Sequence, residues 1–218
     1  MKVKVLQNIL NANDQLAQRN KKLLTANKTL TLNIMASPGA GKTSFIMGTI
    51  ARLKDELTIG VIEGDIASTI DADKIGKEGI DVVQINTGGG CHLDANMVEN
   101  ALKSLDTSKL DLLFIENVGN LVCPAAFKLG EHLRIVISSV PEGNDKPHKY
   151  PAMFSDAEAV ILNKTDLLPV LDYDLKDFKD TVKGLNSAAP IFQISSTTGE
   201  GFEKWIYWLR GEFKKLKD

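Results

Sequence analysis

The chain has 218 residues, 43% hydrophobic and 25% charged, with a net charge of −2 and two cysteines. That length carries one α/β domain with a well-buried core, and the charge balance makes no electrostatic case for nucleic acid or an anionic membrane as partner. No apolar run approaches the roughly 20 residues that span a bilayer, the start lacks a signal peptide's apolar core, and two cysteines make no disulfide framework, so a cytoplasmic protein is expected.

Residues Met1–Ala26 predict a helix, because Leu6, Ile9, Leu10, Leu16, Leu23 and Leu24 recur at mixed three- and four-residue spacing between polar positions. It is read as an N-terminal helix (1–27) packed on the flank of a domain covering 28–218, in preference to a helix that reaches for a partner. The apolar run Leu30–Met35 predicts the first strand. Ala36-Ser37-Pro38-Gly39-Ala40-Gly41-Lys42-Thr43 follows, and a helical pattern from Ser44 to Leu53 leads out. Strand, Gly-rich loop and helix in that order are the context of a phosphate-binding P-loop. Gly39 and Gly41 permit the tight path that turns the N–H groups from Ala40 to Ser44 towards phosphate oxygens. The helix adds its positive dipole end, Lys42 can reach the β- and γ-phosphates, and the Thr43 hydroxyl can ligate Mg²⁺. Ala36 stands where the usual pattern has its first Gly, a small departure, since the cradle depends more on Gly41-Lys42-Thr43.

Further along, Thr58–Glu63 predicts a strand ending in Gly64-Asp65, and Val82–Ile85 a short one running into Asn86-Thr87-Gly88-Gly89-Gly90. A helix is predicted over Leu93–Leu105. The apolar runs Leu110–Ile115, Arg134–Val140 and Ala157–Leu162 predict strands buried on both faces, Ile191–Ile194 the last strand, and Leu175–Leu185 and Gly201–Leu216 the closing helices. Strands alternating with helices imply an α/β fold with a doubly wound, mostly parallel sheet and helices on both faces. Ligands in such sheets bind at the carboxyl ends of the strands, where every motif here falls. The stretch Pro141 to His148 is expected to form a long mobile loop.

Asn163-Lys164-Thr165-Asp166 follows a predicted strand and selects the base. The Asp166 carboxylate can accept two hydrogen bonds, from guanine N1–H and its 2-amino group, whereas adenine would leave it unpaired. Asn163 can bind the far edge of the base and tie loops together, and the Lys164 stem can cover the ring. Ser195-Ser196-Thr197 occupies the place where a backbone N–H meets guanine O6. GTP is therefore expected, with GDP as product. Asp65 and Glu116, at strand ends, are expected to help Thr43 hold Mg²⁺, and the Gly119 N–H to sense the γ-phosphate. Asp71 or Asp73 completes the Mg²⁺ shell, positions water, or simply starts a helix. Lys42, Asp65, Asp71, Glu116 and Gly119 make up the expected catalytic set. No Gln stands beside Gly119 to orient water, so slow intrinsic hydrolysis is expected.

Cys91-His92 follows three glycines at the expected start of a helix, where the dipole favours thiolate, and Cys123 lies four residues beyond Gly119. Two thiolates and an imidazole suit Zn²⁺ or Ni²⁺, in an open site or one shared across a symmetric dimer. By spacing alone such a trio can also be incidental, each thiol a small core residue.

With Ser37–Thr43, the run Asn86-Thr87-Gly88-Gly89-Gly90-Cys91-His92-Leu93-Asp94-Ala95, the run Leu113 to Ala125 through Glu116-Asn117-Val118-Gly119-Asn120-Leu121-Val122-Cys123, and Asn163–Asp166, the chain resembles the HypB/UreG family of nickel-insertion GTPases. Asp145-Lys146-Pro147 and Lys149-Tyr150-Pro151 match as well. The resemblance, to the hydrogenase-maturation members above all, implies a SIMIBI-class P-loop domain akin to the signal-recognition GTPases. It further implies GTP hydrolysis coupled to Ni²⁺ delivery, a GTP-dependent homodimer, a HypA-type nickel metallochaperone and the [NiFe]-hydrogenase large-subunit precursor as partners, and Cys91, His92 and Cys123 as Ni²⁺ or Zn²⁺ ligands at the dimer interface. The Cys-x-x-Cys-Gly-Cys motif and the His-rich tail of some members are missing, so delivery rather than storage is expected; His132 and His148 are read as structural or solvated. A urease-type reading fits less well, because that pattern has Cys-Pro-His where Cys91 and His92 are adjacent. A nucleotide-gated adaptor with incidental cysteines is the alternative from another class.

Overall fold

Among the residues described by the computed structural model (4–218, with side chains from Leu10 onward), seven strands join into one sheet. They are β1 (Leu30–Ala36), β2 (Ile59–Asp65), β3 (Asp81–Asn86), β4 (Leu112–Glu116), β5 (Leu133–Ser139), β6 (Ala159–Asn163) and β7 (Ile191–Gln193). The order is β3-β2-β4-β1-β5-β6-β7 with every pairing parallel. Every residue of β1, β4, β5 and β6 is buried, as their near-continuous apolar runs require of strands covered on both faces. The expected doubly wound α/β architecture is what forms. The chain turns from one half of the sheet to the other at β1, so a crevice opens beyond its carboxyl end, where the P-loop begins.

The helices are α1 (Lys4–Ala26), α2 (Lys42–Leu53), α3 (Ile70–Gly76), α4 (Ala95–Leu102), α8 (Leu175–Leu185) and α9 (Phe202–Lys217), with short turns α5 (Cys123–Ala126), α6 (Lys146–Lys149) and α7 (Pro151–Ser155). On one face, Phe45, Ile46 and Ile50 of α2 pack with Phe202, Trp205 and Leu209 of α9 over Ile34, Phe114 and Ile135. The buried indole Nε1–H of Trp205 donates to Thr49 Oγ1 at 3.0 Å, which ties α9 to the helix leaving the P-loop. The opposite face carries α1 and α4 over β2 and β4, and α7 and α8 over β5 and β6.

α1 packs on the flank, but through a different stripe from the one its leucines suggest. Asn13, Ala17, Asn20 and Leu24 form the buried face, while Leu23 is exposed. The amides explain why: Asn20 Nδ2 donates to Ala95 O and Leu129 O at 2.9 Å each, and Asn13 joins Lys128 O to the Ala95 N–H. The side chains of Leu6 and Ile9 lie outside the described residues. α4 is shorter than predicted, because the Asp94 carboxylate accepts from Met97 N at 2.8 Å and starts the helix at Ala95. The expected mobile loop is also corrected. Residues 141–148 fold into a 3-10 turn and α6, with Pro147 buried and Asn144 and His148 bonded to Asp177 and Thr181 of α8.

His132, just before β5, makes folding sensitive to acid. Its Nδ1 accepts the Thr31 N–H at 3.1 Å, so the ring is neutral, and Nε2–H faces Thr25 Oγ1 at 3.0 Å. Burial, with Lys21 nearby, pushes this imidazole from 6.5 down to about 4. Between those values the unfolded chain binds more protons than the folded one, so stability present above pH 6.5 is lost as pH falls towards 4. Wild type should lose up to about 3 kcal/mol more over this window than His132→Gln, measured as urea midpoints at pH 7 and pH 4.5. Equal losses in both proteins would remove His132 from the account.

Candidate nucleotide and metal site

Between β1 and α2 the backbone takes left-handed conformations at Gly39 (φ 76°) and Gly41 (φ 97°), which a Cβ disfavours. Gly41 is required for space as well, since a Cβ there would stand 2.5 Å from Asn163 Nδ2. The loop is held from the β6 end: Asn163 Nδ2 donates to Ala40 O at 3.0 Å, and Lys164 Nζ to Gly39 O at 2.6 Å. A third support escaped the sequence reading. Ser37 Oγ donates to Glu142 Oε1, while Glu142 Oε2 accepts from Ser139 N–H and Oγ–H. The signal for it was present as a Ser-x-x-Glu capping box after β5.

A cavity of about 830 Å³ opens over this loop, lined by Gly39, Gly41, Lys42, Thr43, Ser44, Glu63, Asp65, Asp71, Glu116, Gly119, Lys164 and Ser196. That volume suits a nucleotide-sized ligand. Thr43 Oγ1 donates to Glu116 Oε1 at 2.9 Å. Asp65 Oδ1 accepts the Ala67 and Ser68 N–H groups at 2.9 and 2.7 Å, bonds that hold its carboxyl below the usual range. Asp71 reaches the cavity from α3 and pairs with Lys74 at 2.8 Å, whereas Asp73 faces Thr69 outside it. Burial pushes Glu116 up to about 7 against the pull of Lys42 and the Thr43 hydroxyl.

Glu63, absent from the sequence-based set, also lines the cavity; burial, then the charges of Glu116, Asp65 and Asp71, push it up to about 8. Glu63 Oε2 and Glu116 Oε2 are both buried without a hydrogen-bond partner. Orphaned carboxylate oxygens beside a hydroxyl and a lysine fit a hard divalent cation, and that donor set suits Mg²⁺.

The segment after β4 stays zipped to the P-loop: Asn117 N–H donates to Ile34 O at 3.0 Å and Asn120 N–H to Ala36 O at 2.8 Å. Gly119 runs so close that a Cβ on it would meet Pro38 Cα at 3.0 Å. Asp166 stands exposed beyond β6 and accepts the Ser195 hydroxyl at 2.6 Å. Ser195 itself is fully buried and its N–H is given to Glu200 O, so it orients Asp166 rather than meeting a base. Ser196 N–H and Oγ–H both go to Asn163 Oδ1, and the exposed Thr197 carries the next N–H of the stretch.

Across the same segment, Cys91, His92 and Cys123 converge, their ligand atoms all within 4.8 Å of one another. The two Sγ atoms are 2.9 Å apart, and Cys91 Sγ is 3.5 Å from His92 Nδ1. Spacing along the chain could not reveal this closeness. The expected helix dipole at Cys91 is absent, since α4 begins at Ala95 and its positive end is taken by Asp94. The Cys91 thiol is instead raised, chiefly by the hydrogen bond to Cys123. Burial keeps His92 below its ordinary range, in the neutral form that coordinates metal, and its ring lies tilted against Phe127 with the centroids 3.9 Å apart. Asn120 Nδ2 donates to Cys91 O at 3.2 Å, and Asn117 Oδ1 accepts Leu93 N–H at 3.0 Å, so one segment touches both the P-loop and the cysteine loop.

Residues 30–193 match the family model described as the CobW/HypB/UreG nucleotide-binding domain. Hydrogenase maturation factor HypB of Escherichia coli strain K12 is 47% identical over 201 residues, covering 92% of this chain and 69% of that protein. Probable hydrogenase maturation factor HypB of Methanocaldococcus jannaschii is 41% identical over 213 residues, covering 98% and 96%. The crystal structure of HypB from Helicobacter pylori in complex with nickel superposes with a TM-score of 0.88 at 40% identity, over 94% of this chain and 96% of that one. The chain belongs to the CobW/HypB/UreG family of nucleotide-binding domains, in its HypB group.

Proposed function

We propose that this chain binds and slowly hydrolyses GTP with Mg²⁺, and that its nucleotide state and dimerisation control the holding and release of Ni²⁺ during [NiFe]-hydrogenase maturation. One observation carries the reading: residues 116–123 begin at the cavity carboxylate Glu116, pass Gly119 against the P-loop, tether the Cys91 loop through Asn120, and end at Cys123. The nickel-bound Helicobacter pylori relative supports nickel as the cargo.

In this reading the N–H groups of Gly39–Ser44 cradle the phosphates and Lys42 reaches the terminal ones. Asp166, oriented by Ser195, accepts from guanine, while Asn163 and Lys164 brace the loop beneath it. Thr43, Asp65 and Glu116 hold Mg²⁺ with Asp71 beside them; when bound, the ion stabilises charge on the transferred phosphoryl group. Gly119 N–H meets the γ-phosphate, and its movement pulls Asn120, hence the carbonyl of Cys91. Ile66 at the cavity, Ile70 next to Asp71 in the chain and Val122 next to Cys123 are exposed, apolar surface suited to a second copy of the chain. Two such triads across a two-fold axis complete a site that three ligands leave open, for Ni²⁺ or Zn²⁺. A HypA-type metallochaperone and the hydrogenase large-subunit precursor are the donor and acceptor this role requires.

The test is a Ni²⁺ titration with GDP and with a non-hydrolysable GTP analogue, recording stoichiometry, thiolate-to-metal absorption and oligomeric mass. Nickel affinity should differ about tenfold or more between nucleotides, a coupling of roughly 1.4 kcal/mol, together with dimerisation. Indifference to nucleotide favours an adaptor whose cysteines are incidental.

A further inference from the structure

Glu63 occupies a row with an unusual chemical composition. The parallel registers align Gln84 of β3, Glu63 of β2, Glu116 of β4 and Ile34 of β1 side by side. Aligned residues of parallel strands point to the same face, here the one that carries α2 and the P-loop. Three buried acceptors in this row, Gln84 Oε1, Glu63 Oε2 and Glu116 Oε2, have no donor. The Gln84 amide N–H is spent on Ser68 O.

A carboxylate 2% exposed, preceded in its strand only by apolar and small residues, is costly unless something satisfies it. A structural glutamate in this same fold shows the contrast. Glu131 accepts from Leu129 N–H, Gly130 N–H and Asn33 Nδ2, and pairs with Arg134. Glu63 has no such set, and it lines the cavity. Its missing donors must arrive with what the cavity binds. Four carboxylates, Glu63, Asp65, Asp71 and Glu116, face that space beside Lys42, while Lys74 is already bonded to Asp71. A polyphosphate adds negative charge beside these carboxylates, and a divalent cation entering with it offsets that charge.

We propose that Glu63 is a metal-positioning residue: its carboxylate accepts a hydrogen bond from a water ligand of the nucleotide's Mg²⁺, so that ion and nucleotide bind as a coupled pair. The proposal rests on the GTP–Mg²⁺ reading above and adds a residue to it. Glu116, bonded to the ligand hydroxyl of Thr43, belongs to the ion's direct neighbourhood; Glu63 stands one strand farther out, on a backbone about 4.8 Å from that of Glu116. Mg²⁺ usually keeps several waters, and a carboxylate on the next strand out is placed to meet one of those waters.

The experiment compares full-length wild type, Glu63→Gln and Glu63→Asp, with fluorescent GDP titrated in Mg²⁺ and in EDTA, and Mn²⁺ bound to each GDP complex counted by electron paramagnetic resonance. In wild type, metal should tighten nucleotide binding. In Glu63→Gln that tightening should shrink about tenfold, through weaker Mn²⁺ binding with EDTA-state affinity no worse than wild type. The glutamine variant should also melt no lower than wild type. Glu63→Asp keeps the charge but withdraws it by one methylene, and should lose Mn²⁺ affinity without gaining EDTA-state affinity; it carries the test if Glu63→Gln fails to fold. Mn²⁺ affinity and metal coupling equal to wild type in the folded variants would overturn the proposal. A wild type whose nucleotide affinity ignores metal would overturn the GTP–Mg²⁺ reading beneath it instead.

Discussion

Replacing Cys91 or Cys123 with alanine should cut Ni²⁺ affinity by a hundredfold or more, since losing even an outer partner of a metal ligand costs about 10–100-fold. The geometry makes the effect large. The two sulfurs are 2.9 Å apart and share one small site with His92, so either thiol removes a soft, charged ligand that water replaces poorly. GDP affinity should be unchanged, because neither cysteine lines the P-loop cavity. Cys91 is exposed, so its removal should shift stability by no more than about 0.5 kcal/mol. Calorimetric nickel titrations of both variants, with thiolate-to-metal absorption followed in parallel, check this. Nickel bound normally by Cys91→Ala would move the metal away from this triad and leave the cysteines incidental.

That triad also marks where sequence reasoning stops. The P-loop and the strands were legible because their signals are local: an apolar run of the right length, then glycines where the backbone needs positive φ. Cys91 and Cys123 lie 32 residues apart, one on the loop after β3 and the other at the start of α5 after β4, and only the pairing of β2 with β3 and β4 brings those segments together. The helix expected at Cys91 failed for a local reason, since Asp94 is the stronger cap and moves the start past the thiol. Asn13 and Asn20 went unnamed among the polar positions of the first helix because amides usually face water; here they satisfy backbone groups at Ala95, Lys128 and Leu129 that α1 itself covers. Glu63 had a visible signal that was passed over: a charge inside a buried strand, two residues before Asp65. Ser195 was assigned to the base on its position alone, whereas its N–H is already given to Glu200 O.

The corrected role of Ser195 sharpens the second large expectation. Asp166→Asn should weaken GTP and GDP binding by at least about 100-fold, because two hydrogen bonds to a charged acceptor are worth roughly 1.5–3 kcal/mol each. The asparagine amide would also point a donor at guanine's own donors. Xanthine replaces the 2-amino group with a carbonyl, so the same variant should gain xanthosine diphosphate at guanine's expense. Ser195 fixes which way the new amide faces. Its hydroxyl donates to Oδ1 at 2.6 Å in the native protein, and in the variant it retains the oxygen there and leaves the NH₂ free for the base. Ser195→Ala combined with Asp166→Asn should therefore bind xanthosine diphosphate more weakly than Asp166→Asn alone. Competition between unlabelled nucleotides and a fluorescent GDP or xanthosine diphosphate reads all three proteins. If Asp166→Asn binds GDP as wild type does, the carboxylate does not read the base, and the preference for guanine must lie elsewhere in the loops after β6 and β7.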